Sequence, residues 1–443
     1  MISNEQINKY SNNFSSNEKN RLLSNIISSN ALSKLSNNGK INRSLNNVYN
    51  ISVKPHLPVT NQKSSGRCWL FAALNVVRRE MCEKYKLDNF EFSQSFLFFW
   101  DKFERMNYNM ECIIKTKNED VDSRIVQHLL NDPSCDGGQW DMITNLVNKY
   151  GLIPKSNYNE SHHSSNSREL NMVLKKKFRE YAWNLRVDKN PKALKEIYME
   201  EVYKLLCLFL GEPPKTFNWE YNDKNKNYKI ENNLNPLSFY KTMVPFNFDD
   251  YICVINDPRK EHPYYNIYSV KYLGNVIDGN KVKYLNLPIS RIKELVLTSL
   301  KRNKSVWYGC DVGQFLNKTN CRMDRDNSEY LNVLDLSFNL NKEQRLRYQD
   351  SLMTHAMVIT GANTSGSVNC LEENDKVNNW EVENSWSSSG PSKGYYSMSD
   401  NWFNEYVYEV AIKKDLLNEN EKGMLKSEFK KIFDPWDPMG SLA

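Results

Sequence analysis

Downstream of Cys68 the apolar residues Leu70, Ala73, Leu74, Val77 and Met81 recur at i, i+3, i+4, i+7 and i+11, one face of an amphipathic helix. The same periodicity predicts helices over 93–103, 122–130, 167–185 and 191–210. Near the start of the chain, Leu22, Leu23, Ile26 and Ile27 follow a Ser15-x-x-Glu18 capping box, which predicts one helix on an Asn- and Ser-rich arm. In the last third the period changes. The runs over 306–312 and 356–360 are short, apolar and rich in β-branched or aromatic residues, so they read as buried strands. Trp380-Glu-Val-Glu-Asn-Ser-Trp386 alternates, placing Trp380, Val382, Asn384 and Trp386 on one face and both glutamates on the other. An asparagine on an apolar face costs about 1–3 kcal/mol unless it is hydrogen-bonded, so Asn384 needs a partner.

Composition narrows the class. A chain of 443 residues can bury a large core, and a hydrophobic share of 40% with 25% charged residues is ordinary for a globular protein. The net charge of +6 is too mild to imply a dedicated nucleic-acid binder. Nine scattered cysteines with no C-x-x-C pair fit neither a disulfide scaffold nor a zinc ribbon, and no metal or cofactor is implied. With no signal-peptide pattern and no run near the ~18 apolar residues of a membrane span, the expected compartment is the cytosol. The aromatic run Glu91-Phe-Ser-Gln-Ser-Phe-Leu-Phe-Phe-Trp100 reads as core or subunit contact. The basic clusters at 175–177 and 301–304 read as solvated faces, and His162-His163 as part of a polar loop.

Candidate chemistry begins at Asn61-Gln-Lys-Ser-Ser-Gly-Arg-Cys-Trp-Leu-Phe71. Gly66 allows a tight turn, and Cys68 falls in the first turn of its helix, where free N–H groups and the macrodipole favour an anion. Such a position can lower a thiol pKa from ~8.5 towards 3.5–7.5, and the thiolate is the nucleophilic form. On these residues alone a buried structural cysteine is an equal alternative. Of the six histidines, His355, beside a buried apolar run, is the best-placed base. Asn384 can hold its imidazole, completing nucleophile, base and orienter. Gln62 can donate its side-chain N–H to a developing oxyanion beside the backbone N–H of Cys68. Cys135-Asp-Gly-Gly-Gln-Trp140 offers a turn, or a place where a peptide approaches main chain closely.

Gln62, Cys68-Trp69-x-Phe71, Cys135-x-Gly137-Gly138, His355-Ala356 and Asn384-Ser385-Trp386 resemble, in order, the motifs of the papain-like cysteine peptidases. Within them the chain is similar to the bleomycin hydrolases, also known as aminopeptidases C. Their longer motifs match Asp136-Gly-Gly-Gln-Trp-Asp141, Gly309-Cys-Asp-Val-Gly313, Thr354-His-Ala-Met357 and Trp436-Asp-Pro-Met-Gly440. The resemblance implies an α+β fold: a papain-like two-lobe core, one lobe helical and one β-barrel-like, with a large, mainly helical insertion. It implies catalysis by Cys68, His355, Asn384 and Gln62, with Trp386 shielding the His355–Asn384 bond. Gly137 and Gly138 would pair with substrate main chain. The tail would lie in the active-site cleft, where Ala443 meets the free N-terminal amine of a peptide substrate. Family members are homohexamers, and some bind nucleic acid. A ring with nucleic-acid-binding side activity and an acyltransferase using the same residues are the alternatives.

Two departures from secreted papain-like enzymes matter. Ser65 stands where their pattern has the disulfide partner of the cysteine corresponding to Cys135, which again points to a reducing compartment. The separation of Cys68 and His355 far exceeds the ~130–150 residues of simple papain-like chains, and the excess lies mostly after residue 155. The expected division is an arm (1–50), a helical lobe with the nucleophile (51–154), an oligomerisation insertion (155–300), a β-rich lobe with His and Asn (301–430) and a tail (431–443).

Overall fold

The computed structural model describes residues 1–43, 46–365, 376–388 and 392–442. Its centre is a mixed sheet, twelve-stranded among the described residues, with helices on both faces. The strand His355–Thr364 lies in the middle, antiparallel to Val306–Cys310 on one side and to Val377–Glu383 on the other. Every residue of Val306–Cys310 is buried, so alternation here separates two cores rather than core from solvent. Trp307, Ala356 and Val358 face the core shared with the helices Cys68–Tyr85, Gln94–Lys115 and Trp140–Tyr150. Val306, Tyr308, Met357 and Ile359 face a second core built on the helix Ile289–Lys301. A strand covered on both sides reads as a continuous apolar run, as these two do.

The predicted helices are present, with ends that shift. The aromatic run opens Gln94–Lys115, much longer than predicted, and Phe96, Leu97, Phe98 and Phe99 are all buried in the core. Pro191–Leu210 starts on proline and is followed by Gly211 at a positive φ of 86°, so both ends are punctuated as read. The arm holds two helices at its start, Asn4–Ser15 and Glu18–Ser29, rather than one. Ser15 ends the first and caps nothing; the capping box is Ser3 with Gln6, and Asn17 caps the second through Lys19 N–H at 3.0 Å. Asparagine caps as well as serine does, so pattern alone did not separate the two. His162–Ser165 is one helical turn, with Ser161 and Ser164 forming a capping box, rather than loop.

The expected insertion is not mainly helical throughout: after its long first helices, strands alternate with the helices Pro236–Met243 and Ile289–Lys301. After Leu210 the chain forms a two-stranded ribbon, Phe217–Asn222 with Tyr228–Leu234. The strands Tyr251–Ile255, Asn266–Val270 and Tyr284–Asn286 then join the central sheet through Val407–Lys413, although the expected division groups them with the insertion. Among the described residues no helix is long and apolar enough to cross a membrane.

Gly151 ends the helix Trp140–Tyr150 at a φ of 77°, and a Cβ there would overlap the carbonyl of Pro236, which accepts from Leu152 N–H at 3.1 Å. Gly151→Ala should therefore lower unfolding stability by about 1–3 kcal/mol, read as a shift in the denaturant midpoint; an unshifted midpoint would show that the chain relaxes there without cost.

Candidate active site

Cys68 is the first residue of its helix, and Arg67 before it offers no side-chain cap. The amides of the first turn therefore stay available, and the Cys68 sulfur accepts from its own N–H, that of Trp69 and that of Ala356. Ala356 follows His355, so the strand start and the helix start meet at the thiol. The chain reaches Cys68 through a loop held by three devices. Ser65 Oγ donates to Gln62 O at 2.7 Å and accepts from Arg67 Nε at 2.9 Å. The buried Arg67 guanidinium pairs with Glu160 at 2.9 Å and lies over the Phe71 and Phe98 rings. Gly66 N–H donates to Asp136 Oδ2 at 2.9 Å, and a Cβ on Gly66 would lie 2.8 Å from the Asp136 Cβ. Glycine is needed there for close approach, since Gly66 does not adopt a positive φ.

Asp136 is a hub. Its carboxylate also accepts from Ser167 Oγ, from Asn171 Nδ2 at 2.7 Å and from Lys102 Nζ at 2.7 Å. Burial alone would raise its pKa; Lys102 and these donors hold it well below the usual carboxylate range. Lys102 also donates to Cys135 O at 2.9 Å, and Arg105 donates to Gly137 O at 2.8 Å, so one helix clamps the whole Cys135–Gly137 turn. Cys135 is a free thiol, as are the other seven cysteines among the described residues.

His355 is buried, with Nε2 at 2.9 Å from Asn384 Oδ1, which leaves Nδ1 for the thiol. Trp386 lies over the imidazole, ring centroids 4.8 Å apart. Gln62 is fixed as well: Ser385 Oγ donates to its Oε1 at 2.5 Å, and its Nε2 donates one hydrogen to Ser65 O at 2.7 Å, leaving the second free. Cys68, His355, Gln62, Gly66 and Gly137 line one cavity of 640 Å3. Gly138 does not reach that wall; it is buried behind it, where a Cβ would lie 2.5 Å from the Trp69 indole.

Burial sets the protonation states. It pushes the Cys68 thiol up to about 11, despite the three N–H groups, and the His355 imidazole down to about 4, despite the Asn384 acceptor. Burial thus works against the helix terminus at the thiol and against the Asn384 acceptor at the imidazole.

The tail is described up to Leu442. Phe433 is buried against Tyr268, and Arg259 links Asp437, at 2.8 Å, to Asp257. Arg124 stacks on Trp436 at 4.1 Å. Gln139 Nε2 donates to Ser441 O at 2.7 Å, Ser441 Oγ donates to Met353 O at 2.6 Å, and Leu442 lines the Cys68 cavity. Ala443 lies outside the described residues. Lys175, read from sequence as solvated, lines the cavity too and pairs with Asp132 at 2.9 Å. Sequence reasoning gave no separate role to Asp136, Lys102 or Gln139. The available signal was a set of charges, Asp101, Lys102 and Arg105, inside an otherwise aromatic helix.

A thiol and an imidazole in one open cavity, the imidazole held by a carboxamide, are the equipment of a cysteine peptidase. The chain belongs to the Peptidase C1-like family, whose model matches residues 1–440. It is 44% identical over 398 residues to bleomycin hydrolase of Mus musculus, covering 87% of this chain and 86% of that protein. It is 42% identical over 392 residues to aminopeptidase C of Streptococcus thermophilus, again covering 87% and 86%. The crystal structure of PepW from Lactobacillus rhamnosis HN001 superposes with a TM-score of 0.95 at 38% identity, covering 100% of this chain and 99% of that one. These relationships make it an enzyme, a cysteine-type aminopeptidase.

Asp136→Asn would leave the buried Lys102 charge uncompensated, a loss of about 3–5 kcal/mol. The native carboxyl lies below its unfolded value, so its contribution is complete above about pH 4 and is lost as pH falls below that. Denaturant unfolding at pH 7 and pH 3 should show the two proteins far apart at the first and closer at the second; equal stability at pH 7 would remove Asp136 as the hub.

Proposed function

We propose that the chain removes N-terminal residues from peptides through a thiol mechanism centred on Cys68. The observation that carries this is the shared cavity: Cys68, His355, Gln62 and the tail residue Leu442 line the same space. On substrate binding the Cys68 proton passes to His355 Nδ1, and the sulfur attacks the scissile carbonyl carbon. The oxyanion is held by the Cys68 N–H and the second Nε2 hydrogen of Gln62. His355 gives its proton to the leaving amine as the C–N bond breaks, leaving a thioester on Cys68. It then takes a proton from water, whose oxygen attacks the thioester carbonyl; the C–S bond breaks, the acid leaves, and His355 returns the proton to the Cys68 sulfur. Asn384 Oδ1 keeps the other ring nitrogen protonated and the ring in place, and Trp386 shields that bond. Gly137, in the cavity wall, is the proposed main-chain partner of the substrate; Gly138, expected beside it in that role, lies behind the wall.

The tail makes the enzyme an exopeptidase in this reading. Ser441 and Leu442, pinned by Gln139 and Met353, close one side of the cleft, which leaves room for a short, free N-terminal stretch. The assembly is proposed to be a homohexamer in the cytosol, with single-stranded nucleic acid as a weak further partner. Free cysteines support a reducing compartment. Large exposed apolar residues on and near the two long helices, among them Trp183 at 70% and Leu208 at 73%, support an assembly. A monomer in sedimentation would refute it, and affinity for nucleic acid indifferent to salt would count against that partner.

Cys68→Ser should abolish hydrolysis of a free-amine aminoacyl reporter while leaving the fold intact. Deleting residues 441–443 should slow that reporter and admit N-blocked ones. If the aminopeptidase rate falls with no gain on N-blocked reporters, the tail is not the barrier.

The pH profile tests the base. His355 must be neutral to accept the thiol proton, and its pKa is near 4, so kcat/KM should fall with unit slope as pH drops through about 4. Asn384 raises that value, so Asn384→Ala should move the limb lower still while reducing kcat. A limb at the ordinary imidazole value of about 6.5 would contradict the assignment.

A further inference from the structure

Beside Asn384 lies a buried ionic group to which the mechanism above gives no role. The Glu383 side chain is fully buried on the sheet face opposite Val382, where it meets the helix that begins at Cys68. Arg78 Nη2 donates to Glu383 Oε1 at 2.6 Å, and Arg79 Nη2 donates to Glu383 Oε2. Both guanidinia are almost completely buried, at 2% and 4% side-chain exposure. Each is tied further. Arg78 Nη2 donates to Pro58 O at 2.6 Å, and Arg79 Nη1 to Asn75 O at 2.9 Å. Tyr395, on the neighbouring strand, donates to Leu57 O at 2.7 Å and lies 3.5 Å from Arg79 Nη2.

The group joins three segments that each carry part of the site. The helix carries Cys68, about 15 Å along its axis from Arg78. The strand Val377–Glu383 leads directly into Asn384. The segment at Pro58 leads to Gln62, which itself bonds to Ser385. A buried ion group is a poor source of stability, because well-packed apolar residues of similar volume usually serve as well. What it supplies is direction: two guanidinium groups, each through one Nη2, hold the two oxygens of one carboxylate from two sides, so the 383–384 peptide cannot rotate or slide against the helix. The His355–Asn384 bond needs that, since a misplacement of 1 Å can cost about 10²-fold in rate.

We infer that Glu383, clasped by Arg78 and Arg79, is a positioning residue that sets Asn384, and through it the His355 ring, against Cys68. The inference rests on the Cys68–His355–Asn384 reading above.

The experiment is a double-mutant cycle on the full-length enzyme with Glu383→Gln, Asn384→Ala and the pair, measuring kcat, KM and the acid limb of kcat/KM with a free-amine aminoacyl reporter. Glu383→Gln is expected to lose about 10²-fold in kcat with KM little changed and to shift the limb in the same direction as Asn384→Ala. The double variant should be no slower than Asn384→Ala alone. Losses that multiply, or a folded Glu383→Gln enzyme with full kcat and reduced stability, would overturn the inference and leave the triad a structural element. If Glu383→Gln does not fold, Arg79→Lys, which keeps the charge and loses the rigid bridge from Glu383 to Asn75 O, is read in its place, and full kcat there overturns the inference equally. Full activity in Asn384→Ala would instead overturn the underlying assignment, so the two failures are distinguishable.

Discussion

A single buried carboxylate, that of Asp136, decides whether this site exists. It collects the Gly66 amide, the Ser167 hydroxyl, the Asn171 carboxamide and the Lys102 ammonium, drawn from the loop before Cys68, from the helix Arg168–Val187 and from Gln94–Lys115. Taking a charge out of water is costly, and the cost is offset only when every lone pair finds a donor. The four donors are therefore interdependent. Because Gly66 lies two residues before Cys68, the position of the nucleophile inherits that interdependence, and the glycine is required because any Cβ would press on Asp136 itself.

The same desolvation that makes Asp136 demanding governs the reacting pair. Thiol and imidazole are both buried, and burial favours their neutral forms more strongly than the helix terminus or the Asn384 acceptor favours charge. Leu442 of the tail lines the same cavity, and the tail before it is anchored by Arg259, Gln139 and Met353 rather than by hydrophobic contact alone.

Much of the site was legible because its residues announce themselves. Cys68 opens an amphipathic helix, His355 opens an apolar strand, and Asn384 stands where an apolar residue belongs, so each breaks a local rule in a way that chemistry explains. Residue chemistry joined these three with Gln62, and the ordered matches to a known family added the substrate-pairing role of Gly137 and the placement of the tail. Less legible were the groups that hold them. Arg78 and Arg79 were given no role from the sequence, and their partner Glu383 is 305 positions from Arg78. Lys102 and Arg105 sit in an aromatic helix whose partner loop lies 30 to 33 residues on. Nor did the pattern show that the strands Tyr251–Ile255, Asn266–Val270 and Tyr284–Asn286 belong to the central sheet.

The sequence by itself determined the helix and strand periods, the residue types able to react and their order along the chain, because these depend on neighbours within a few residues. Tertiary structure alone decided which charges are buried, which way the carboxamide of Gln62 points, that Gly138 serves packing behind the cavity wall, and that burial opposes ionisation of the thiol. Those outcomes depend on desolvation and on hydrogen bonds between segments hundreds of residues apart, and a chain carries no local record of either.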